Sequence, residues 1–295
     1  MRHLQCWTIL AALLVGFCSI APAMAAMTPF PEPQAGDRIL VVSPHPDDES
    51  LCCGGLIQRA LARGARVAIV WVTAGDAFEL DALVTEHHLR LKGTGMERLG
   101  HMRIAEALAA GEHYGIPRSA LDVLGYPDRG LAGMLDAYHE LPYFSPYTRS
   151  DRVPYARVLS PGARNTGRNV ERDIARVVDD FAPTLVFAAA PEDRHPDHAA
   201  SGQFALRVLT ARGQADRLRY YVVHAGSRWP EPRGLHVNLP LSPPPVAPLR
   251  DWQSFELSDP EQQGKLAVLQ LHRTQWEVMA HFLRAFVRRT ELFSR

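Results

Sequence analysis

The chain has 295 residues, with 32 lysines and arginines against 32 acidic residues, so its formal net charge is zero. A composition of 46% hydrophobic and 22% charged residues is that of a folded globular protein and excludes a disordered one. Charge balance without a basic stripe excludes a nucleic-acid backbone as partner and leaves a small, neutral or modestly charged molecule.

Arg2 and His3, an apolar run from Trp7 to Ile20, and Ala23-Met24-Ala25 before Ala26 form the pattern of a secretory signal peptide over residues 1–25. The run is short for a membrane span, which needs about 20 residues. An exported protein, periplasmic or extracellular, is therefore expected, without a stable span once the signal is removed; anchoring by an uncleaved N-terminal segment is the alternative. Cleavage leaves only Cys52 and Cys53. Neighbouring cysteines make a strained bridge, so the pair reads as buried packing residues, with a thiolate ligand to a nearby metal as the other option. Pro29, Pro31 and Pro33 make residues 26–36 a leader with no fold of its own, and one domain is expected over residues 37–295.

Arg38 to Ser43 is a continuous apolar strand of the kind buried in parallel sheets. Gly54-Gly55 opens an amphipathic helix that stops at Gly64, and Val67 to Thr73 is a second strand, completing a βαβ unit. Helical sequence follows between Arg90 and Gly115, then a strand at Leu121 to Leu124. Residues 139–167, interrupted by Pro142, Pro146, Pro154 and Pro161 and rich in tyrosine, read equally as a lid or rim and as a packed surface loop. A helix from Asn169 to Phe181, a strand from Leu185, a helix from about Ala199 to Arg212, and a strand from Leu218 to His224 come next. A last helical region spans Pro260 to Phe286. Strands alternating with helices, with no internal repeat, predict a single doubly wound α/β domain.

Two tetrads stand out: His45-Pro46-Asp47-Asp48 and His195-Pro196-Asp197-His198. Both follow strands, at the carboxyl ends where such sheets bind ligands. Both carry proline in the second place of a type I turn, a shape that brings its first and last residues within about 7 Å. His45 then neighbours Asp48, and His195 neighbours His198. Imidazole nitrogens and carboxylate oxygens are zinc donors. Four protein donors would close a tetrahedral site, whereas three leave a position open for chemistry. Spacing does not tell which of His195 and His198 is the donor. Asp47 is placed to accept a proton from an attacking water, and Asp197 to orient a histidine. His87-His88 has no such tetrad beside it and reads as a solvated pair.

Pro44-His45-Pro46-Asp47-Asp48-Glu49 followed by Gly54-Gly55, together with His195-Pro196-Asp197-His198, resembles the LmbE-like or PIG-L-like zinc N-deacetylases. Weaker support comes from Arg103-Ile104-Ala105-Glu106, Gly125-Tyr126-Pro127-Asp128, Lys265 and His272-Arg273-Thr274-Gln275. The resemblance implies a Rossmann-like domain with a mostly parallel sheet and helices on both faces. It also implies removal of the acetyl group from an N-acetylated amino sugar, such as an N-acetylglucosamine-type glycan or glycoconjugate. By the family pattern one Zn2+ per chain is held by His45, Asp48 and His198, with Asp47 as general base. His195 then stabilises the oxyanion as an imidazolium or protonates the leaving amine, and Arg103 and Asp128 approach the substrate. Arg129 stands where relatives more often have glycine; a long cation there would narrow the pocket or favour an anionic substrate. Two other readings fit the same residues: a metal-dependent phosphoesterase, and a carbohydrate-binding protein that has lost catalysis.

Overall fold

A computed structural model describes residues 27–78, 92–246 and 251–295. The signal-peptide segment with Cys6 and Cys18, and the pair His87-His88, lie outside these residues. No helix among the described residues is long and apolar enough to cross a membrane.

The core is a five-stranded parallel sheet made of β1 (Arg38–Ser43), β2 (Arg66–Thr73), β3 (Leu121–Tyr126), β4 (Leu185–Ala189) and β5 (Leu218–Tyr221). Its order is β3-β2-β1-β4-β5, with every pair parallel. The apolar runs of β1 and β2 are buried almost throughout, as strands covered on both faces must be. The helices are α1 (Asp48–Ala62), α2 (Thr94–His113), α3 (Leu131–Leu135), α4 (Gly167–Phe181), α5 (Pro196–Thr210), α6 (Asp259–Leu269) and α7 (Arg273–Leu283). They pack in two groups, α1 with α2, α6 and α7, and α3 with α4 and α5. The chain order reverses between β1 and β4, which pair directly with Ile39 opposite Leu185 and Val41 opposite Phe187. A reversal of this kind opens a crevice beyond the strand ends. Both tetrads leave the sheet there.

Several boundaries differ from expectation. α1 begins at Asp48, not at Gly54, and the glycine pair lies in mid-helix. A Cβ on Gly55 would fall 2.1 Å from Leu257 Cδ2, and one on Gly54 2.7 Å from the Tyr114 hydroxyl. Close packing, not helix initiation, explains the two glycines. At the same height the buried Lys265 donates to Leu51 O (2.8 Å) and to Glu291 Oε1 (2.7 Å), while Glu291 accepts from the backbone of Gly55 and Leu56. The helical stretch 260–286 is broken at Gln270–His272 into α6 and α7. A small antiparallel sheet, β6 (Gln253–Glu256) with β7 (Thr290–Phe293), has no counterpart in the sequence reading. β7 leads into Ser294, which exchanges two backbone hydrogen bonds with Tyr220 at the edge of the main sheet.

Residues 27–36 are not a bare leader. Phe30 N donates to Ser254 O, Ser254 N donates to Thr28 O, and the Phe30 ring is buried among Phe187, Phe255 and Phe293. Burying such a ring stabilises by about 1.5–3 kcal/mol, enough to make the segment part of the domain. The cysteine reading is also corrected: Cys52 and Cys53 are buried, but their sulfurs are joined (2.23 Å) rather than free. Residues 139–166 contain no strand or helix and are nonetheless packed, with Ser145, Val153 and Tyr155 buried while Leu141 and Phe144 are exposed.

Candidate metal centre and active site

The strand end of β1 is held first. Thr73 donates through both its backbone N and its hydroxyl to Pro44 O, and Ser43 Oγ donates to His45 O (2.7 Å). Neither tetrad is an isolated turn. Ser50 N and Leu51 N donate to Asp47 O, so the first tetrad runs into the opening turn of α1. His195 caps α5, with Pro196 at the first helical position, a favoured place because its missing N–H would have no partner there.

His45 Nδ1, Asp48 Oδ2 and His198 Nε2 lie 3.2, 3.2 and 3.1 Å apart, pair by pair. Donors bound at about 2.0–2.1 Å around a tetrahedral zinc are separated by about 3.3 Å. The three residues therefore fit such an ion, with the fourth direction left for chemistry. The outer nitrogens are backed by carboxylates, as in metal-binding histidines generally. His45 Nε2 is 3.2 Å from Asp128 Oδ1 and 3.7 Å from Asp197 Oδ2, and His198 Nδ1 faces Asp193 Oδ2 at 3.4 Å. Burial opposes charge on both imidazoles, but Asp128 chiefly holds His45 well above its usual range, and Asp48 with Asp193 raises His198 to about 9. Burial also works against the Asp48 carboxylate, yet His198 and His45 hold it well below the carboxylate range. The floor of the site is thus anionic and built for a cation.

Asp47 stands beside these donors in a backbone conformation few L-residues adopt, with φ 122°. Glu49 supports it from below. Its Oε2 accepts from Asp47 N (3.1 Å) and from Trp71 Nε1 (2.7 Å), and its Oε1 accepts from Ser50 Oγ (2.7 Å) and meets His272 Nε2 at 3.0 Å. Burial, reinforced by Asp48, pushes the Asp47 carboxyl up to about 7, against the pull of Arg103 and His272. A carboxyl in that range can both take and return a proton near neutrality.

His195 differs from the imidazolium expected of it. Its Nδ1 accepts from Asp197 N (3.3 Å), which leaves Nε2 as the protonated nitrogen of a neutral ring. Burial, then the neighbouring His45, His198 and His224, depresses its pKa to about 2. The ring can donate a hydrogen bond, but it is not a cation.

His45, Asp47, Asp48, Arg103, Asp128, Arg129 and His195 line one cavity of about 230 Å³. His198 and Asp197 lie behind its wall, both fully buried. Arg103 reaches the wall and donates through Nη1 to Gly75 O (2.9 Å) and through Nη2 to Pro46 O (2.8 Å), which clamps the first tetrad to the loop after β2. Its Nη2 is also 3.8 Å from Asp47 Oδ2, and its Nε has no hydrogen-bond partner among the described residues. Asp128 backs His45 and accepts from Ala77 N. Asp197 accepts from the backbone of Arg129 and Leu131, tying the loop after β3 to the start of α5. Arg129 has φ 61°, the left-handed region where glycine is free of strain, and its Nη1 donates to the Tyr147 hydroxyl (3.0 Å). One tyrosine of the 139–167 segment therefore does reach the rim.

The sequence reading missed Asp193, which accepts from the backbone of His195, Val223 and His224 besides facing His198. It also missed His224, Met279 and Phe282 on the far wall, where Gln275 of the quoted His272–Gln275 piece joins them. Asp193 lies two residues before the second tetrad, so its position was a readable signal; the others come from distant chain.

Asp76 makes a separate prediction. It is fully buried, accepts from Asp128 N (3.0 Å) and from the Tyr155 hydroxyl, and burial raises its pKa from 3.8 to about 7. A carboxyl raised on folding contributes stability that is complete below pH about 4 and is lost as pH rises through about 7. Asp76→Asn, which mimics the protonated group, should flatten that loss. Melting temperatures of the chelated protein from pH 4.5 to 8.5 should fall less steeply in the variant; equal slopes would refute the assignment.

What the fold and the donor set define is a Rossmann-like α/β protein with a two-histidine, one-aspartate centre at the switch point of its sheet. The chain belongs to the PIG-L family, whose model, described as GlcNAc-PI de-N-acetylase, matches residues 40–209. It is 30% identical over 253 residues to a 1D-myo-inositol 2-acetamido-2-deoxy-alpha-D-glucopyranoside deacetylase of Saccharomonospora viridis, covering 80% of this chain and 84% of that one. The protein of that name from Nakamurella multipartita is 29% identical over 207 residues, covering 69% of this chain; the chain spans only 60% of that relative's length. Among solved structures, N,N'-diacetylchitobiose deacetylase from Pyrococcus horikoshii shares the fold, with a TM-score of 0.52, 20% identity, and coverage of 87% and 82% of the two chains.

Proposed function

We propose that this protein is an exported zinc-dependent hydrolase that removes the acetyl group from an N-acetylated amino sugar, of the N-acetylglucosamine type. The observation that carries the reading is the triad His45 Nδ1, Asp48 Oδ2 and His198 Nε2 at 3.1–3.2 Å, with Asp47 and His195 lining the cavity in front of it. The relatives, named as deacetylases of a 2-acetamido-2-deoxy-glucopyranoside, support the same class. When bound, zinc supplies Lewis-acid polarisation of the acetamide carbonyl and lowers the pKa of water to about 7.

The chain's own residues then divide the proton work. Asp47 takes the proton of the attacking water and returns it to the departing amine nitrogen. His195 donates its Nε2–H to the acetamide oxygen as negative charge gathers there. Asp128 and Asp193 hold the two donor imidazoles in place. A phosphoesterase reading is less favoured, because two ions about 3.5–4 Å apart are the usual arrangement for that chemistry. The triad His45 Nδ1, Asp48 Oδ2 and His198 Nε2 converges on one point and draws on both donor histidines, which is the arrangement for a single ion.

The test is acetate release from a panel of N-acetylated glycans. Chelation should abolish release and added zinc should restore it. Full turnover by metal-free protein would overturn the proposal.

A further inference from the structure

A second cavity, about 370 Å³, opens beside the candidate active site. The two share a partition made of His195, His224, Met279 and Phe282. A substrate seated with its acetamide at the metal donors has this cavity as an adjoining room. Its chemistry is one-sided: Arg194 and Arg233 line it and no carboxylate does.

Several surface arginines are matched by carboxylates. Arg168 pairs with Glu140 and Arg212 with Asp179, each at 2.7 Å, and Arg59 is held by Glu261. Arg194 is not. Among the described residues its guanidinium makes no hydrogen bond or ion pair. It lies across Gly226, where a Cβ would fall 2.7 Å from Nη1, and the residue at that point has φ 115°, suited to glycine. Arg233 is placed with more support. Its Nη2 donates to Ser227 O (2.9 Å), its plane lies 4.6 Å over the Phe282 ring, and its Nη1 has no hydrogen-bond partner. Phe282 stacks in turn on His224, at 5.7 Å between ring centres and 9° between planes, and His224 packs against His198. One stack therefore runs from the Arg233 guanidinium to the metal donors. Two guanidinium forks with spare donors match an oxyanion, since each fork can offer parallel N–H groups; Glu231 lies near Arg233 but does not line the cavity.

We propose that this cavity binds an acidic substituent of the substrate, a carboxylate or a phosphate, carried on the amino sugar or on the group attached to it. The proposal rests on the deacetylase reading for its substrate frame, while the anion site itself rests on Arg194 and Arg233.

The experiment compares kcat/KM for acetate release from three N-acetylglucosaminides: a neutral one, one bearing a carboxylate and one bearing a phosphate. At least one acidic substrate should be preferred over the neutral one by about tenfold or more, with the difference in KM and with the preference shrinking as salt is raised. Arg194→Gln should lower the acidic-to-neutral ratio about tenfold, and Arg194→Lys, which keeps the charge but not the fork, should keep part of it. Arg194 is exposed, so folding is not at stake; Arg233→Gln should act in the same direction. An equal rate on all three substrates, or a preference unmoved by either glutamine variant, overturns the anion site and leaves the deacetylase reading standing. If no substrate releases acetate, the deacetylase reading falls, and calorimetric titration of the zinc-loaded protein with inorganic phosphate and with a glucosamine phosphate decides the site alone. Binding weakened about tenfold by Arg194→Gln supports it; no binding, or binding equal in the variant, overturns it.

Discussion

Asp47→Asn is expected to keep its metal and to lose acetate release by about 10²–10⁴-fold, the range contributed by a positioned general base. Asparagine is the right substitution because position 47 has φ 122°, and asparagine tolerates unusual positive-φ backbone better than alanine. The backbone N–H to Glu49 is untouched by the change, so the anchoring of the first tetrad on Trp71 and His272 should survive. The lost element is a carboxyl held near 7 by burial and by Asp48. Metal content by elemental analysis and kcat on a responsive N-acetyl sugar make the test. A variant with intact metal and full kcat would remove Asp47 from the proton path; loss of metal together with activity would make it a structural residue instead.

His198→Ala is expected to have the complementary effect, with metal retention lost and activity falling with it. The substitution removes one of three donors and leaves Asp48 and Asp193 without the imidazole that lies between them. Two buried carboxylates facing an emptied space repel, so a stability cost should accompany the loss. Asp193→Asn provides the graded comparison. It keeps all three donors and alters only the support behind His198, a change that costs about 10–100-fold in metal affinity in comparable centres. Competition with a chromophoric chelator should rank wild type above Asp193→Asn, and Asp193→Asn above His198→Ala. Unchanged zinc retention in His198→Ala would show that the family assignment of His198 over His195 is mistaken.

Much of this architecture was legible because its determinants are local. Continuous apolar runs at 38–43, 67–73 and 185–188 read as buried parallel strands, and a proline-bearing tetrad after two of them marked where the chain leaves the sheet. Pro46 stands in a turn as read, with Asp48 N donating to His45 O, although Asp47 at φ 122° departs from type I; Pro196 instead opens a helix, whose first turn has nearly the dihedrals of a type I turn. The choice between His195 and His198 was not legible. Both rings pack against His45, and the choice depends on which one brings a nitrogen up to His45 Nδ1 and Asp48 Oδ2, a matter of three-dimensional placement. His224, Met279 and Phe282 were missed for the same reason: they reach the cavity from the end of β5 and from α7, far along the chain. Phe30 was hidden by the prolines around it, which signal irregular backbone but say nothing about whether a ring beside them is buried. The antiparallel pair β6–β7 is four residues to a strand, too short for periodicity to distinguish from loop.

The left-handed backbone of Arg129 couples folding to the shape of the cavity. At φ 61° a glycine would relieve about 1 kcal/mol of strain. The same change would remove the side chain that lines the cavity and donates to the Tyr147 hydroxyl. Backbone ease and the cavity wall are therefore set against each other at position 129, and Arg129→Gly should gain stability while losing that contact.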